Sequence, residues 1–317
     1  MDDKKEEIDK SKYALSERDI QIGIDDFFTQ MLIEARRTKN TARSLSDLSS
    51  ESPKVSYLIG QPGAGKSTIQ KKIENEYKQN NQCAVEVNSD KVATFHRDYA
   101  ELLKLLPDQC YTLSREFVRP ATNVIMNKIR EKKINVIIET PLNKGEKDYD
   151  TMQKFKENGY KVELNIVAVD KYQSFYGCIK RDLLLLEVGQ NPRPVAKMNH
   201  DRMYDPFLNE IMEMQKRGLC DNIRVFGRKD DQIASFEKVW ETGNNNYSSA
   251  QEAVISTRAK ERSRIMSDPK KYLGKLDDAK NQIELLVTDK NMKENYLTEI
   301  NSLEKEFFNE LSFEKSK

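Results

Sequence analysis

The sequence predicts an α/β protein, a mostly parallel five-stranded sheet flanked by helices, with helical extensions at both ends. Three observations carry this. Five short apolar runs recur through the middle of the chain, each followed by polar or helically patterned sequence. The first run leads straight into a glycine-rich loop and then a helix. Both ends of the chain place apolar residues at three- and four-residue spacing, the period of a helix face.

In chain order, residues 1–12 carry charge at most positions and lack the apolar segment of a secretory leader, so they read as frayed and not as a targeting signal. Ile20, Ile24, Phe27, Phe28, Met31 and Leu32 mark a helix that begins near Leu15. Residues 38–53, rich in Ser, Thr and Asn, read as a linker. Strands are expected over residues 55–59, 84–87, 134–138, 162–169 and 223–226. A helix over 68–78 carries Ile69 and Ile73 on one face. No strand is expected past residue 230. Residues 248–317 read as an exposed helical tail or hairpin, with Leu297, Ile300, Leu303, Phe307 and Leu311 as an apolar stripe; a partner-binding role is the alternative. The expected organisation is an N-terminal extension over 1–50, a core over 51–230 and a C-terminal extension over 231–317.

Composition removes several function classes. The chain has 53 Lys+Arg against 52 Asp+Glu, a net charge of +1, which argues against a dedicated nucleic-acid binder. Cys83, Cys110, Cys178 and Cys220 form no CxxC pair, and His96 and His200 are the only histidines, so neither zinc nor a disulfide framework is indicated. The longest apolar runs, such as 183–186, fall far short of a membrane span. A soluble cytoplasmic protein without nucleic-acid or membrane partners is expected.

The chemistry starts at Gly60-Gln61-Pro62-Gly63-Ala64-Gly65-Lys66-Ser67-Thr68. Between a strand and a helix this spacing makes a phosphate-binding P-loop. The glycines let successive backbone N–H groups point at one anion, and the helix N-terminus adds its positive end. Lys66 then supplies the charge for the β- and γ-phosphates, and the Ser67 hydroxyl is a ligand for Mg2+. In parallel sheets ligands sit beyond the carboxyl ends of strands, which directs attention to residues 88–90 and 139–141. Asp90 is placed to act as a general base toward an acceptor hydroxyl, or else to cap a helix through Lys91-Val92-Ala93. Glu139 ends an apolar strand, where it can bind an acceptor hydroxyl, order magnesium water or bond the P-loop. Arg181 on a helix and Arg193 in a Pro-bounded loop can clamp a transferring phosphoryl group. His200-Asp201 is expected to cap a helix running on through Met203 and Phe207.

The order of these pieces resembles a known family. The P-loop is followed by Asn88-Ser89-Asp90 and His96, then Ile137-Ile138-Glu139. Lys156-Glu157-Asn158-Gly159-Tyr160 precedes a strand ending Ala168-Val169, and Ser174, Arg181, Arg193 and His200-Asp201 lead to 218–224. Over roughly residues 55–230 this is similar to the bacterial zeta toxins, the kinase halves of epsilon–zeta toxin–antitoxin modules. The resemblance implies a P-loop kinase-like fold and transfer of a phosphoryl group from ATP or GTP, with Mg2+, to the 3′-hydroxyl of the amino sugar of UDP-N-acetylglucosamine. That reaction blocks cell-wall precursor synthesis, and a small helical epsilon-type antitoxin protein neutralises it. It also implies that Asp90 is the base, that Asp90, Glu139, Thr151 and the residue at position 123 meet the sugar nucleotide, and that Arg181 and Arg193 are the clamp.

Four positions depart from the pattern: Asn123 replaces a glutamate, Thr140-Pro141 replaces Gly-Thr, and Asn143 replaces an arginine. A kinase for another sugar nucleotide or metabolite, and a nucleotide-gated regulatory ATPase, are the alternatives.

Overall fold

A computed structural model describes residues 10–36, 44–105, 107–140, 145–204, 207–230 and 234–315. The elements follow in the order α1 (Glu17–Arg36), β1 (Lys54–Ile59), α2 (Lys66–Gln79), β2 (Val85–Val87), α3 (Ser89–Ala93), α4 (Tyr99–Leu105) and α5 (Pro107–Glu131). Next come β3 (Val136–Glu139), α6 (Glu146–Glu157), β4 (Lys161–Ala168), α7 (Lys171–Glu187), α8 (Lys197–Arg202) and α9 (Phe207–Lys216). The chain ends with β5 (Asn222–Arg228), β6 (Phe236–Glu241), α10 (Ala250–Ser267), α11 (Pro269–Leu286) and α12 (Lys290–Lys315). The strands form one sheet in the order β2-β3-β1-β4-β5-β6. β2 runs parallel to β3 and β4 parallel to β5, whereas β6 is antiparallel to β5. The fold is thus the expected mostly parallel α/β sheet with helices, built from six strands and not five. Among the described residues no helix is long and apolar enough to cross a membrane.

Local chemistry explains where the helices begin. Ser16 and Asp19 cap α1 reciprocally: Asp19 N–H donates to Ser16 Oγ at 3.2 Å, and Ser16 N–H to Asp19 Oδ2 at 3.0 Å. Asp170 caps α7 by accepting from Tyr172 N–H at 2.9 Å, and Ser249 caps α10 by accepting from Glu252 N–H at 3.1 Å. Asp268 caps α11 with Pro269 directly after it, where proline's missing N–H costs nothing.

Contacts divide the chain into two units that alternate along the sequence. The first comprises Met1–Ser56, Glu74–Glu139 and Phe155–Lys161. Its helices α1, α3 and α4 pack on α5. Gly23 lets α1 come close, since a Cβ there would lie 2.6 Å from the Phe95 carbonyl oxygen and 2.7 Å from the Phe117 ring. Phe27 meets Phe95 edge-on at 5.5 Å. His96 is buried beside Phe117, and its Nδ1 accepts from Asp98 N–H at 3.0 Å; burial pulls its pKa below the ordinary histidine value. Asn135 ties the starts of three strands, accepting from Lys54 N–H at 2.8 Å and donating to the Cys83 carbonyl at 3.2 Å. Of the segments expected to be frayed or linker, residues 1–9 and 38–43 lie outside the described residues, whereas Lys10–Tyr13, at the end of the first, form a short 3-10 turn and are not frayed. Residues 45–48 form a short 3-10 turn.

The second unit comprises Tyr57–Ile73, Thr140–Lys154 and Val162–Lys317. Its centre is α7, in which Tyr172–Ile179, Asp182 and Leu183 are all buried. The C-terminal segment is not the exposed tail expected from its charge. Tyr172, Phe175, Tyr176, Ile179 and Leu183 of α7 share one apolar cluster with Ile265 of α10, Tyr272 and Ile283 of α11, and Ile300, Leu303 and Phe307 of α12. β6 was missed because it is an edge strand with only Trp240 buried; Glu237, Lys238 and Glu241 hide its alternation.

The Phe307 ring is 0% exposed and sits edge-on to Tyr172 at 5.3 Å, with Tyr272 at 4.8 Å. Phe307→Ala is therefore expected to lower unfolding free energy by about 3–5 kcal/mol. Phe313→Ala, whose ring is 63% exposed, is expected to stay within about 0.5 kcal/mol of the parent. Urea unfolding followed by the fluorescence of Trp240 distinguishes them; equal stability would show that α12 is not part of this core.

Candidate functional site

The P-loop spans the turn between β1 and α2 and lies wholly within the second unit. Gly63 and Gly65 adopt φ of +70° and +96°, the left-handed region that side chains avoid. Gly63 is also constrained by its neighbour: a Cβ there would fall 1.9 Å from the Ser174 carbonyl oxygen and 2.6 Å from Cys178 N. Across the same contact, a Cβ on Gly177 would lie 2.3 Å from the Gly63 oxygen. Loop and helix α7 thus touch backbone to backbone. Lys66 opens α2, and its ammonium donates to the carbonyls of Gly60 at 2.9 Å and Gln61 at 3.2 Å. The Ser67 side chain in the first turn is exposed.

Gln61 locks the loop to its surroundings. It is 1% exposed, and its Nε2 donates to the Val169 carbonyl at 2.6 Å and to Ser174 Oγ at 3.1 Å. Its Oε1 accepts from Arg258 Nη2 of α10 at 3.1 Å. Arg258 also donates to the Tyr204 carbonyl and stacks 3.8 Å from the Tyr204 ring. Ser174 Oγ lies 2.8 Å from His200 Nε2, and His200 Nδ1 lies 2.9 Å from Asp201 Oδ1. The Ser–His–Asp spacing resembles a hydrolase triad, yet Ser174 and His200 are both 0% exposed and the Ser174 hydroxyl is also engaged with the Asp170 carbonyl at 2.9 Å. These residues are a strut beneath the P-loop. His200 lies in the last turn of α8, which ends at Arg202, so it does not cap a helix continuing through Phe207 as expected.

One turn beyond Cys178 on α7 comes Arg181. Its Nε and Nη2 donate to Asp182 Oδ1 at 3.0 and 2.8 Å, and its Nη2 also donates to the Arg193 carbonyl. Arg193 N–H donates to the same Asp182 oxygen at 3.2 Å. The two arginines expected to form a clamp are thus physically joined. Cys178 is an inert thiol, pushed up to about 12 by burial.

A pair of buried carboxylates lies at the amino end of α7. Asp170 N–H donates to Glu261 Oε2 at 2.5 Å, while Asp170 Oδ2 pairs with Arg262 at 2.7 Å. Burial pushes Glu261 up to about 7 against the pull of Arg228, 3.7 Å away. Arg258 and Glu261 went unread because the segment looked like a charged tail. The signal was present: Ala250, Ala253, Val254, Thr257, Arg258, Glu261 and Ile265 form one helical face, with two charges at core positions.

The remaining expected residues are distributed between the units. Thr151, in the second, donates its hydroxyl to the Lys147 carbonyl of its own helix at 2.8 Å. Asp90, Asn123 and Glu139 belong to the first. Asp90 is exposed in α3, and it does not cap that helix. Asn88 does, accepting from Lys91 N–H at 2.6 Å. Asn123 is exposed on α5, and Glu139 is the last, half-buried residue of β3. Pro141 and Asn143 lie outside the described residues.

Comparison with known proteins follows the same segment. The family model described as zeta toxin matches residues 39–238. Toxin zeta of Streptococcus agalactiae is 26% identical over 210 residues, covering 66% of this chain and 72% of its own length. Toxin PezT of Streptococcus pneumoniae serotype 4 is 25% identical over 211 residues, covering 66% of this chain and 81% of its own. A solved chain from the PezAT chromosomal toxin–antitoxin system of Streptococcus pneumoniae superposes with a TM-score of 0.64 at 19% identity, covering 87% of this chain and 99% of that one. A chain of the AvrRxo1-ORF1:-ORF2 complex gives 0.53 at 16% identity, covering 90% and 83%. At such identities the superpositions speak for the fold, a P-loop kinase-like one.

The Glu261 site has a pH signature. Its pKa rises from 4.5 to about 7 on folding, so the folded state holds the proton more tightly. Its contribution to stability is complete below the unfolded value and is lost as pH rises through about 7. Urea unfolding at intervals from pH 4.5 to 8 is expected to show a decline of about 3 kcal/mol from this group. Glu261→Gln, which keeps the acceptor for Asp170 N–H, is expected to remove that part of the slope. Identical slopes in both proteins would overturn the assignment.

Proposed function

The chain belongs to the zeta toxin family of toxin kinases, and from this premise we propose that it transfers the γ-phosphate of ATP or GTP to the 3′-hydroxyl of the amino sugar of UDP-N-acetylglucosamine. The observation that carries the kinase reading is the P-loop seated on α7, with Arg181 farther along the same helix. Backbone N–H groups of the loop 60–68, to which Pro62 contributes none, and the Lys66 ammonium take the β- and γ-phosphates. The exposed Ser67 hydroxyl, in the first turn of α2, suits a magnesium ion, which when bound neutralises phosphate charge. As the acceptor oxygen bonds to the γ-phosphorus and the bond to the bridging oxygen breaks, Asp90 takes the hydroxyl proton and the nucleoside diphosphate leaves. Arg181 and Arg193 stabilise the charge that gathers on the transferring group. Glu139, Thr151 and Asn123 are assigned to the sugar nucleotide.

A kinase acting on another sugar nucleotide or metabolite is the second reading, favoured by Asn123, Pro141 and Asn143. The relatives named toxin zeta and PezT, and the PezAT toxin–antitoxin system, support a protein antitoxin as partner. We assign it a helical segment that blocks the phosphate site. Nucleotide affinity unchanged by the bound partner would exclude that mode of inhibition.

Lys66→Ala is expected to reduce phosphoryl transfer by about 10²–10³-fold. It should leave the fold intact, because Lys66 is partly exposed and its ammonium donates to the Gly60 and Gln61 carbonyls of the loop itself. Asp90→Asn is expected to cost about 10²–10⁴-fold in kcat. Near-normal turnover in Asp90→Asn would remove it as the base.

The acceptor is tested by mass spectrometry of a bacterial sugar-nucleotide extract after incubation with the enzyme, ATP and magnesium. UDP-N-acetylglucosamine is expected to gain one phosphate. Asn123→Glu exchanges a neutral for a charged hydrogen bond and is expected to lower the acceptor KM by about tenfold with little change for ATP. Phosphorylation of a different metabolite alone would establish the second reading, and ATP loss without any phosphorylated acceptor would point to a regulatory ATPase.

A further inference from the structure

Asp182 belongs to none of the motifs that mark the site, yet three segments converge on it. Its side chain is 2% exposed, whereas that of Arg181 is 39% exposed. Oδ1 accepts from Arg181 Nε at 3.0 Å, from Arg181 Nη2 at 2.8 Å and from the backbone N–H of Arg193 at 3.2 Å. Oδ2 accepts from the Tyr296 hydroxyl of α12 at 2.9 Å. Tyr296 is itself 7% exposed, and burial together with the charge of Asp182 keeps its hydroxyl protonated and donating. One carboxylate therefore ties α7, the loop carrying Arg193 and the C-terminal helix.

The asymmetry of this ion pair matters. Its anion is buried with three segments attached, while its cation keeps a surface toward solvent. An arginine whose Nε and one Nη are already engaged presents its remaining donors in a fixed fork, and little conformational freedom is left to lose when an anion arrives. The Arg181–Arg193 carbonyl bond adds the loop to the same frame.

We infer that Asp182 is a positioning residue that holds Arg181 and the Arg193 loop as one clamp, and that Tyr296 anchors it to α12. Residues 181, 182 and 193 lie within the segment matched by the family model, 39–238, whereas Tyr296 lies beyond it. The C-terminal helix is thereby assigned a part in setting the clamp. The inference rests on the reading of the two arginines as the phosphate clamp.

The test uses the full chain and two independent readouts. Tyr296→Phe keeps the buried ring and removes only the hydroxyl; Asp182→Ala removes the hub. The first readout is solvent exchange of the Arg181 Nε–H proton by NMR, assigned by its loss in Arg181→Lys. Exchange is expected to be slow in the parent, at least tenfold faster in Asp182→Ala and intermediate in Tyr296→Phe.

The second readout is steady-state kinetics. Asp182→Ala is expected to lower kcat by about 10²-fold with nucleotide KM changed less than about threefold. Tyr296→Phe is expected to lower kcat by about threefold to tenfold. Arg181→Ala combined with Asp182→Ala should be slower than Arg181→Ala alone by much less than the loss seen in Asp182→Ala, because Asp182 acts through Arg181 and the Arg193 loop. Multiplying losses in the double variant, or parental exchange and kcat in Tyr296→Phe, would overturn the inference. Where Asp182→Ala fails to fold, Tyr296→Phe decides by itself. Protected Nε–H that is released in the variants, in a protein that phosphorylates no acceptor, would leave the bracket standing and remove the kinase reading.

Discussion

The phosphate loop and helix α7 meet with no side chain between them. At Gly63 the helix backbone occupies the space a Cβ would need, and at Gly177 the loop does the same to the helix. The contact is therefore satisfied at one separation and one rotation of the helix, because neither backbone can yield without losing its own hydrogen bonds. Other features of this unit follow from the need to hold α7 still. Gln61 fastens the loop to Val169 and Ser174 at the start of the helix, and Arg258 of α10 fixes Gln61 in turn.

A helix so constrained is buried along most of its length, and it carries a buried carboxylate near each end. Asp170 at the amino end and Asp182 toward the carboxyl end are each 1% exposed. A buried charge is tolerable only when paired and hydrogen-bonded. Asp170 is matched by Arg262 of α10 and Asp182 by Arg181 and by Tyr296 of α12. Lys171 and Lys197 extend the pairing to Glu306 of α12, and Arg262 extends it to Glu310. The C-terminal helices supply both the apolar cover of α7 and the partners for its charges. They belong to the same compact unit as the P-loop.

Some of this was legible in the amino-acid sequence. The P-loop could be read because its chemistry demands contiguous residues: glycines for the turn, a lysine and a serine at fixed offsets, a strand before and a helix after. Strands β1 to β5 and helix α1 announced themselves through apolar period and punctuation, which depend on neighbours only a few residues away. The segment order that resembled the zeta toxins likewise lies in local motifs, and the family model covers the same stretch.

What only the tertiary structure decided is the role of residues whose partners are far off in the chain. Asp182 stands in none of the motifs read from the sequence, and it becomes a hub because Arg181, the Arg193 backbone and Tyr296 all bond to it. Arg258 and Glu261 looked like surface charges of a tail until burial beside Gln61 and Asp170 gave them partners. Asp90 was the capping candidate for helix α3, and backbone geometry gives that place to Asn88 two residues earlier. Sequence records which groups can bear charge or accept a hydrogen bond. Whether a charge is solvated or buried is set by packing between distant segments, and the cost of burying it unpaired is what makes those distant partners necessary.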